Sequence, residues 1–169
     1  MKNMKKINLI SLAVLVLALA AIAWASVKIT GGGLLIDSST GQSVATLTLQ
    51  CHNCNDANNS ASGKFNLVDH QTGAHLKGDL KAYVKCAASS NQPGGSVTDD
   101  CKLFCNPAFS PGTHLLYGKA DSGMPLAICI QDNGQGNKDT AVVVIPPSGS
   151  SANFRRFKIN VNGNFVVHQ

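Results

Sequence analysis

Two pairs of closely spaced cysteines are the residues of this chain best suited to chemistry. The first pair lies in Cys51-His52-Asn53-Cys54 and the second in Cys101-Lys102-Leu103-Phe104-Cys105. Four thiolates from two such pairs are able to hold zinc or an iron–sulfur cluster, and a C-x-x-C pair is able to exchange disulfides. Covalent haem attachment is excluded at the first motif because Asn55, rather than histidine, follows its second cysteine.

The alternative for these cysteines is a set of structural disulfides. An even number of cysteines in an oxidising compartment first indicates disulfides, although the sequence does not select among the possible pairings. Cys86 ends one predicted strand, Cys129 lies inside another, and a cysteine-rich loop is predicted over residues 86–111. Bridges from that loop to the sheet would therefore fasten it in place. The disulfide candidates are Cys51, Cys54, Cys86, Cys101, Cys105 and Cys129.

An oxygen-rich segment between Asp132 and Asp139 is the second candidate site. Two carboxylates, asparagine amides and glycine-exposed carbonyls are the ligand types that Ca²⁺ prefers. The segment lacks the spacing and the terminal glutamate of an EF-hand loop, so the alternative is a plain hairpin connection. We expect no cofactor, and calcium at Asp132 and Asp139 is the alternative that this segment offers.

A third group, Asp69-His70 with His75, has the residue types of acid–base catalysis. No serine is placed on a strained turn with an oxyanion hole nearby, so His70 is better interpreted as a surface turn residue. We assign no catalytic residue and expect a protein that is not an enzyme.

The first twenty-five residues predict export. Lys2, Lys5 and Lys6 precede an uncharged run from Ile7 to Ala23, and Ala23-Trp24-Ala25 supplies small residues at a cleavage junction. This is the pattern of a signal peptide, and a retained membrane anchor is the alternative. We expect cleavage near Ala25 and a product that works in the periplasm or outside the cell, free of the membrane.

The composition of residues 26–169 limits the fold class and the functions open to this part of the chain. Without the three N-terminal lysines, 11 basic residues face 9 acidic ones, a net charge of about +2. No dense basic patch indicates nucleic-acid binding. Every acidic residue is Asp, and Asp favours turns where Glu favours helices. These features predict one domain that is not helical.

Alternation of apolar and polar residues predicts strands throughout that domain. Ala45 to Cys51 alternates with a period of two, and Leu76 to Cys86 places its even-numbered residues on one face. Asn162-Gly163 is a strong hairpin signal between the last two predicted strands. We expect an all-β fold, an antiparallel β-sandwich or a barrel-like variant, preceded by a signal-peptide helix. Further strands are predicted at Phe65 to Leu67, Leu115 to Ala120, Leu126 to Gln131, Thr140 to Ile145, Phe154 to Val161 and Asn164 to His168.

The order of several short motifs from Ala61 to Gln169 resembles the small secreted bacterial β-sandwich modules of the post-COAP type. The motifs are Gly63-Lys64-Phe65-Asn66-Leu67-Val68-Asp69-His70, Gly73, Leu76-Lys77-Gly78, the segment Gln131 to Asp139, and Gly163-Asn164-Phe165-Val166-Val167-His168. The resemblance implies a compact β fold with no established catalytic residues. The cysteine-rich loop departs from that pattern.

Export, a β pattern and the lack of a catalytic set together predict a secreted structural or adhesive binding module of the bacterial cell surface or extracellular space. Its partner would be a surface protein or matrix component, reached through loops or through an edge strand with unpaired backbone groups. The alternative function is a thiol or metal-binding protein of the cell envelope that uses the two cysteine pairs.

Overall fold

The chain folds into an antiparallel barrel in which each strand pairs with its neighbours in sequence and β1 pairs with β8. The computed structural model describes residues 26–37, 40–86, 96–105, 112–134, 139–145 and 155–168, so the predicted signal peptide lies outside the described residues. The elements are β1 (Val27–Asp37), β2 (Ser43–Cys54), β3 (Gly63–Asp69), β4 (His75–Lys85), α1 (Ser96–Cys105), β5 (His114–Ala120), β6 (Pro125–Gln131), β7 (Thr140–Ile145) and β8 (Arg155–His168).

The expected all-β antiparallel class is confirmed, and the arrangement is the barrel-like one. Apolar residues at alternate strand positions fill the interior, among them Leu47, Leu67, Ile128 and Phe165, all fully buried. In a closed barrel of about eight strands, side chains are just large enough to fill the space. Every strand that the structure describes has a neighbour on both sides. Contact with a partner through an edge strand or loops stays a prediction.

The helix α1 covers the outside of the barrel on one side. It packs against β6 and β7, where the outward residues Val142 and Val144 are buried. The Tyr117 hydroxyl on β5 donates to the Asp100 carboxylate at 2.7 Å. Strands covered on both faces are apolar almost without interruption, and β7 has this composition for that reason.

Two disulfides fasten α1 to the barrel. Cys86–Cys101 joins the residue after β4 to the helix, and Cys105–Cys129 joins the last helical residue to β6. The expected bridges from the cysteine-rich segment to the sheet are therefore present at Cys101 and Cys105. The prediction of a loop over the whole of residues 86–111 is wrong, since its cysteines at 101 and 105 lie on a helix. A ten-residue helix held by two bridges needs little intrinsic periodicity, because tertiary contacts stabilise it.

A register shift in β4 corrects the expected facing of that strand. Pairing with β5 is irregular between Leu80 and Ala82, as at a β-bulge. Leu80 faces the interior as expected, but beyond the irregularity Tyr83 takes the interior position. Val84 and Cys86 belong instead to the outer cluster beneath α1. One extra residue in a strand exchanges its faces, and alternation alone does not reveal it.

The hairpin predicted at Asn162-Gly163 is also wrong, because β8 runs through it without a turn. Gly163 pairs with Gly33 of β1, and a Cβ on Gly163 would collide with the Gly32 carbonyl. This glycine therefore permits close approach of two strands and does not serve turn geometry.

Candidate functional site

The cysteines lie where they cannot act as free thiols. All six are paired, and the third bridge joins Cys51 to Cys54 within β2. Both of these residues are fully buried in the barrel interior. A four-thiolate metal site needs unpaired cysteines, and thiol exchange needs access for an attacking thiolate. The disulfide-bonded protein satisfies neither condition.

The side chains of Asp132 and Asp139 bind the backbone of β8. The Asp139 side chain is 1% exposed, and its oxygens accept hydrogen bonds from the backbone N–H groups of Asn133 at 3.0 Å and Phe165 at 2.6 Å. The Asp132 carboxylate accepts from the N–H groups of Gly134 at 2.8 Å and Val167 at 3.1 Å. Since β7 pairs with β8 only as far as Asn160, the two carboxylates bind backbone donors that lie beyond the β7 ladder.

These contacts give both aspartates a structural role that the sequence did not reveal. Among the residues that the structure describes, no group of three His, Cys or Asp side chains is arranged to hold a metal. Calcium at Asp132 and Asp139 stays a prediction, and it now requires a cation to share oxygens that already accept backbone hydrogen bonds.

The three residues of the predicted acid–base group, Asp69, His70 and His75, each contact different partners. The His70 ring contacts the Ser43 hydroxyl through Nδ1 at 3.1 Å and the Thr46 hydroxyl through Nε2 at 3.0 Å. The buried Asp69 carboxylate accepts the backbone N–H of Gln71 at 2.8 Å. His75 instead contacts Asn66 on the outer face of the barrel. These contacts do not place an aspartate against the ring of His70 or His75.

A buried Tyr83–His114 pair lies inside the barrel and was missed from the sequence. Neutral His114 accepts a hydrogen bond at Nδ1 from the Tyr83 hydroxyl at 2.7 Å, and the rings stack with centroids 5.8 Å apart. Burial lowers the pKa of His114 to about 4, with Lys85 contributing in the same direction. Burial also raises the pKa of Tyr83 above its ordinary value. The pair is buried and is uncharged at neutral pH.

Within the described residues, an accessible polar surface lies on the outer face of β1, β2, β3 and the N-terminal half of β4, away from the outer cluster beneath α1. Cross-strand pairing aligns outward residues in two rows. One row runs Thr30, Gln50, Lys64 and Asp79, and the other runs Gly32, Thr48, Asn66 and Lys77. Neighbouring strands lie about 4.8 Å apart, so the rows cross four strands over about 14 Å.

Two adjoining open depressions lie on this face. The larger, about 580 Å³, is lined by three residues of each row together with His75. The smaller, about 550 Å³, shares Gln50 and Lys64 with it and extends to His52 and Lys81. We refer to the larger depression as the outer groove, lined by Thr30, Gly31, Thr48, Leu49, Gln50, Lys64, Phe65, Asn66, His75 and Lys77.

The charge of this face is predominantly positive. The Asp79 carboxylate contacts the Lys81 ammonium at 2.9 Å and the Lys64 ammonium at 3.6 Å. The hydrogen bond from Lys81 holds the pKa of Asp79 below its ordinary value, with Lys64 adding a smaller effect. One carboxylate thus serves two ammonium groups, and within the described part of the chain Lys77 has no ion pair.

The sequence carried a signal for this face, although not for its use. Lys64, Asn66 and Lys77 are the polar members of the alternation that predicted β3 and β4. Alternation predicts that they point outward, whereas strand register decides that they lie side by side.

Comparison with protein-family models, curated proteins and solved structures found no match. In the described ranges, no helix is long and apolar enough to cross a membrane. The three disulfides are consistent with an oxidising compartment.

Proposed function

We propose that this protein is a non-enzymatic binding module, secreted by a bacterium, that holds a cell-surface or matrix component on the outer face of β1 to β4. The observation that carries the proposal is the outer groove, an open depression of about 580 Å³ across four strands. Its lining includes the hydrogen-bonding side chains of Thr48, Gln50, Lys64, Asn66 and Lys77. Sites on strands hold their side chains more precisely than sites on loops.

The division of the barrel surface supports this location. The outer surface of β6 and β7 is buried under α1, and the interior is filled by side chains. The face of β1 to β4 keeps exposed polar groups, among them Thr48, Gln50 and Lys64. Disulfides and a predicted signal peptide support work outside the cytoplasm.

Retention on immobilised extracellular polymers tests this function without assuming the ligand. The purified, disulfide-bonded protein is passed over an acidic polysaccharide, a neutral polysaccharide, peptidoglycan and a fibrillar matrix protein. Asn66→Trp places a bulky ring in the outer groove, and Leu103→Trp is the control, an exposed residue on α1 outside it. We expect retention on at least one polymer, weakened at least about tenfold by Asn66→Trp and less than about twofold by Leu103→Trp. Retention on none, or equal loss in both variants, would refute the proposal.

A further inference from the structure

We infer that the outer groove binds an acidic polysaccharide, with Lys64 and Lys77 on its carboxylates and Thr48, Gln50 and Asn66 on its hydroxyls. This inference rests on the proposed function and names the ligand class of the same site.

The lysines determine the sign of the charge that we expect on the ligand. Both ammonium groups lie on exposed side chains of the groove, and each has three donors and no acceptor. Lys64 and Lys81 share the Asp79 carboxylate. The Lys81 ammonium lies 2.9 Å from it and the Lys64 ammonium 3.6 Å, so Lys81 is the closer partner. Among the described residues Lys77 has no acidic partner. A ligand that supplies carboxylates would form ion pairs with both ammonium groups.

The neutral side chains favour a polyhydroxylated ligand. His75 donates from Nε2 to the Asn66 side-chain carbonyl, which leaves the amide NH₂ group of Asn66 as a donor. The Thr48 hydroxyl and the Gln50 amide each both donate and accept. Sugar hydroxyls also do both, so they match these groups better than an apolar or purely anionic ligand does.

Other polyanions and surfaces fit less well. Single-stranded nucleic acid binding relies on aromatic side chains that stack with bases, and the one phenylalanine lining the groove, Phe65, is 3% exposed and faces the barrel interior. A lipid surface is bound through exposed apolar side chains beside basic ones. The groove side chains that reach solvent are threonine, glutamine, asparagine, histidine and lysine.

Titration with polygalacturonate, followed by calorimetry at low salt, tests the inference. Fully methyl-esterified polygalacturonate has the same backbone with its carboxylates masked, and polyglutamate has carboxylates without sugar hydroxyls. The double variant Lys64→Gln/Lys77→Gln removes the groove charges, and Lys102→Gln removes one charge from the exposed side of α1. Thermal melts of each variant establish that it is folded.

We expect polygalacturonate to bind more tightly than either comparison polymer, and raised salt to weaken its binding because exposed charges are screened. The double variant should bind about tenfold more weakly, and Lys102→Gln should stay within about twofold of the unmodified protein. Equal binding of the methyl ester, tighter binding of polyglutamate or of single-stranded DNA, or an unaffected double variant would overturn the inference. If the polymer panel above still shows retention that Asn66→Trp removes, the proposed function survives that failure.

Discussion

Removing the Asp139 carboxylate should destabilise the barrel more than any exposed aspartate does. Its oxygens accept the N–H groups of Asn133 at 3.0 Å and Phe165 at 2.6 Å, and the side chain is 1% exposed. Asp139→Ala leaves two backbone donors unsatisfied at about 1 to 3 kcal/mol each, so we expect a loss near 4 kcal/mol. That is a large fraction of the 5 to 15 kcal/mol typical of a domain, and it corresponds to a fall in Tm of about 10 °C.

Urea unfolding of three variants measures this effect. Asp139→Asn keeps one acceptor oxygen and should cost about half as much as Asp139→Ala. Asp121→Ala, at an exposed turn residue between β5 and β6, should change the free energy of unfolding by less than about 0.5 kcal/mol. If Asp139→Ala and Asp121→Ala unfold at the same urea concentration, the hydrogen bonds of the Asp139 carboxylate do not stabilise the barrel.

Four further predictions concern the barrel interior, the Cys105–Cys129 disulfide and the calcium hypothesis. Because the pKa of His114 falls to about 4 in the folded protein from 6.5, the unfolded chain binds more protons between these values. Stability should therefore fall as pH drops from about 6.5 to 4, by about 2 to 3 kcal/mol, and pH-dependent melts of His114→Gln should lack most of that fall. Replacing Cys105 and Cys129 together by alanine opens a bridge between residues 24 apart and should cost about 3 kcal/mol in urea unfolding, whereas an unchanged midpoint would contradict the stapling role. Leu80→Asp should abolish the folded circular-dichroism signal because it buries an unpaired charge, and exposed Lys81→Asp should keep it; equal melting would show the facing to be wrong. If Asp132 and Asp139 bind calcium, Ca²⁺ at ten times Kd should add about 1.4 kcal/mol of stability, and a melt without that shift, or a shift that survives Asp132→Asn/Asp139→Asn, would leave the segment as a hairpin connection.

Alternation and apolar runs were sufficient to predict most of the strands, because each strand has at least one face in the core. They failed at β1, where Gly31, Gly32 and Gly33 interrupt the pattern. A Cβ on Gly31 would collide with the Asn164 carbonyl of β8, so that glycine reflects a contact between strands distant in sequence. Such a requirement has no local periodicity.

The candidate site was predictable only in its parts. Outward positions such as Lys64 and Lys77 follow from alternation, but their grouping depends on register and on which face α1 leaves open. The roles of Asp132 and Asp139 depend on where β7 ends relative to β8. Local composition suggested calcium ligands because a carboxylate that binds cations also accepts backbone N–H groups.

Chemical-shift mapping by NMR tests the claim of an outer-face binding site most directly. The ¹⁵N-labelled, disulfide-bonded protein is titrated with a short, soluble oligogalacturonate while backbone amides are followed. The account predicts saturable shifts concentrated at Gln50, Lys64, Asn66 and Lys77, with α1 unchanged. Shifts confined to other faces of the barrel, or none up to millimolar ligand, would contradict it.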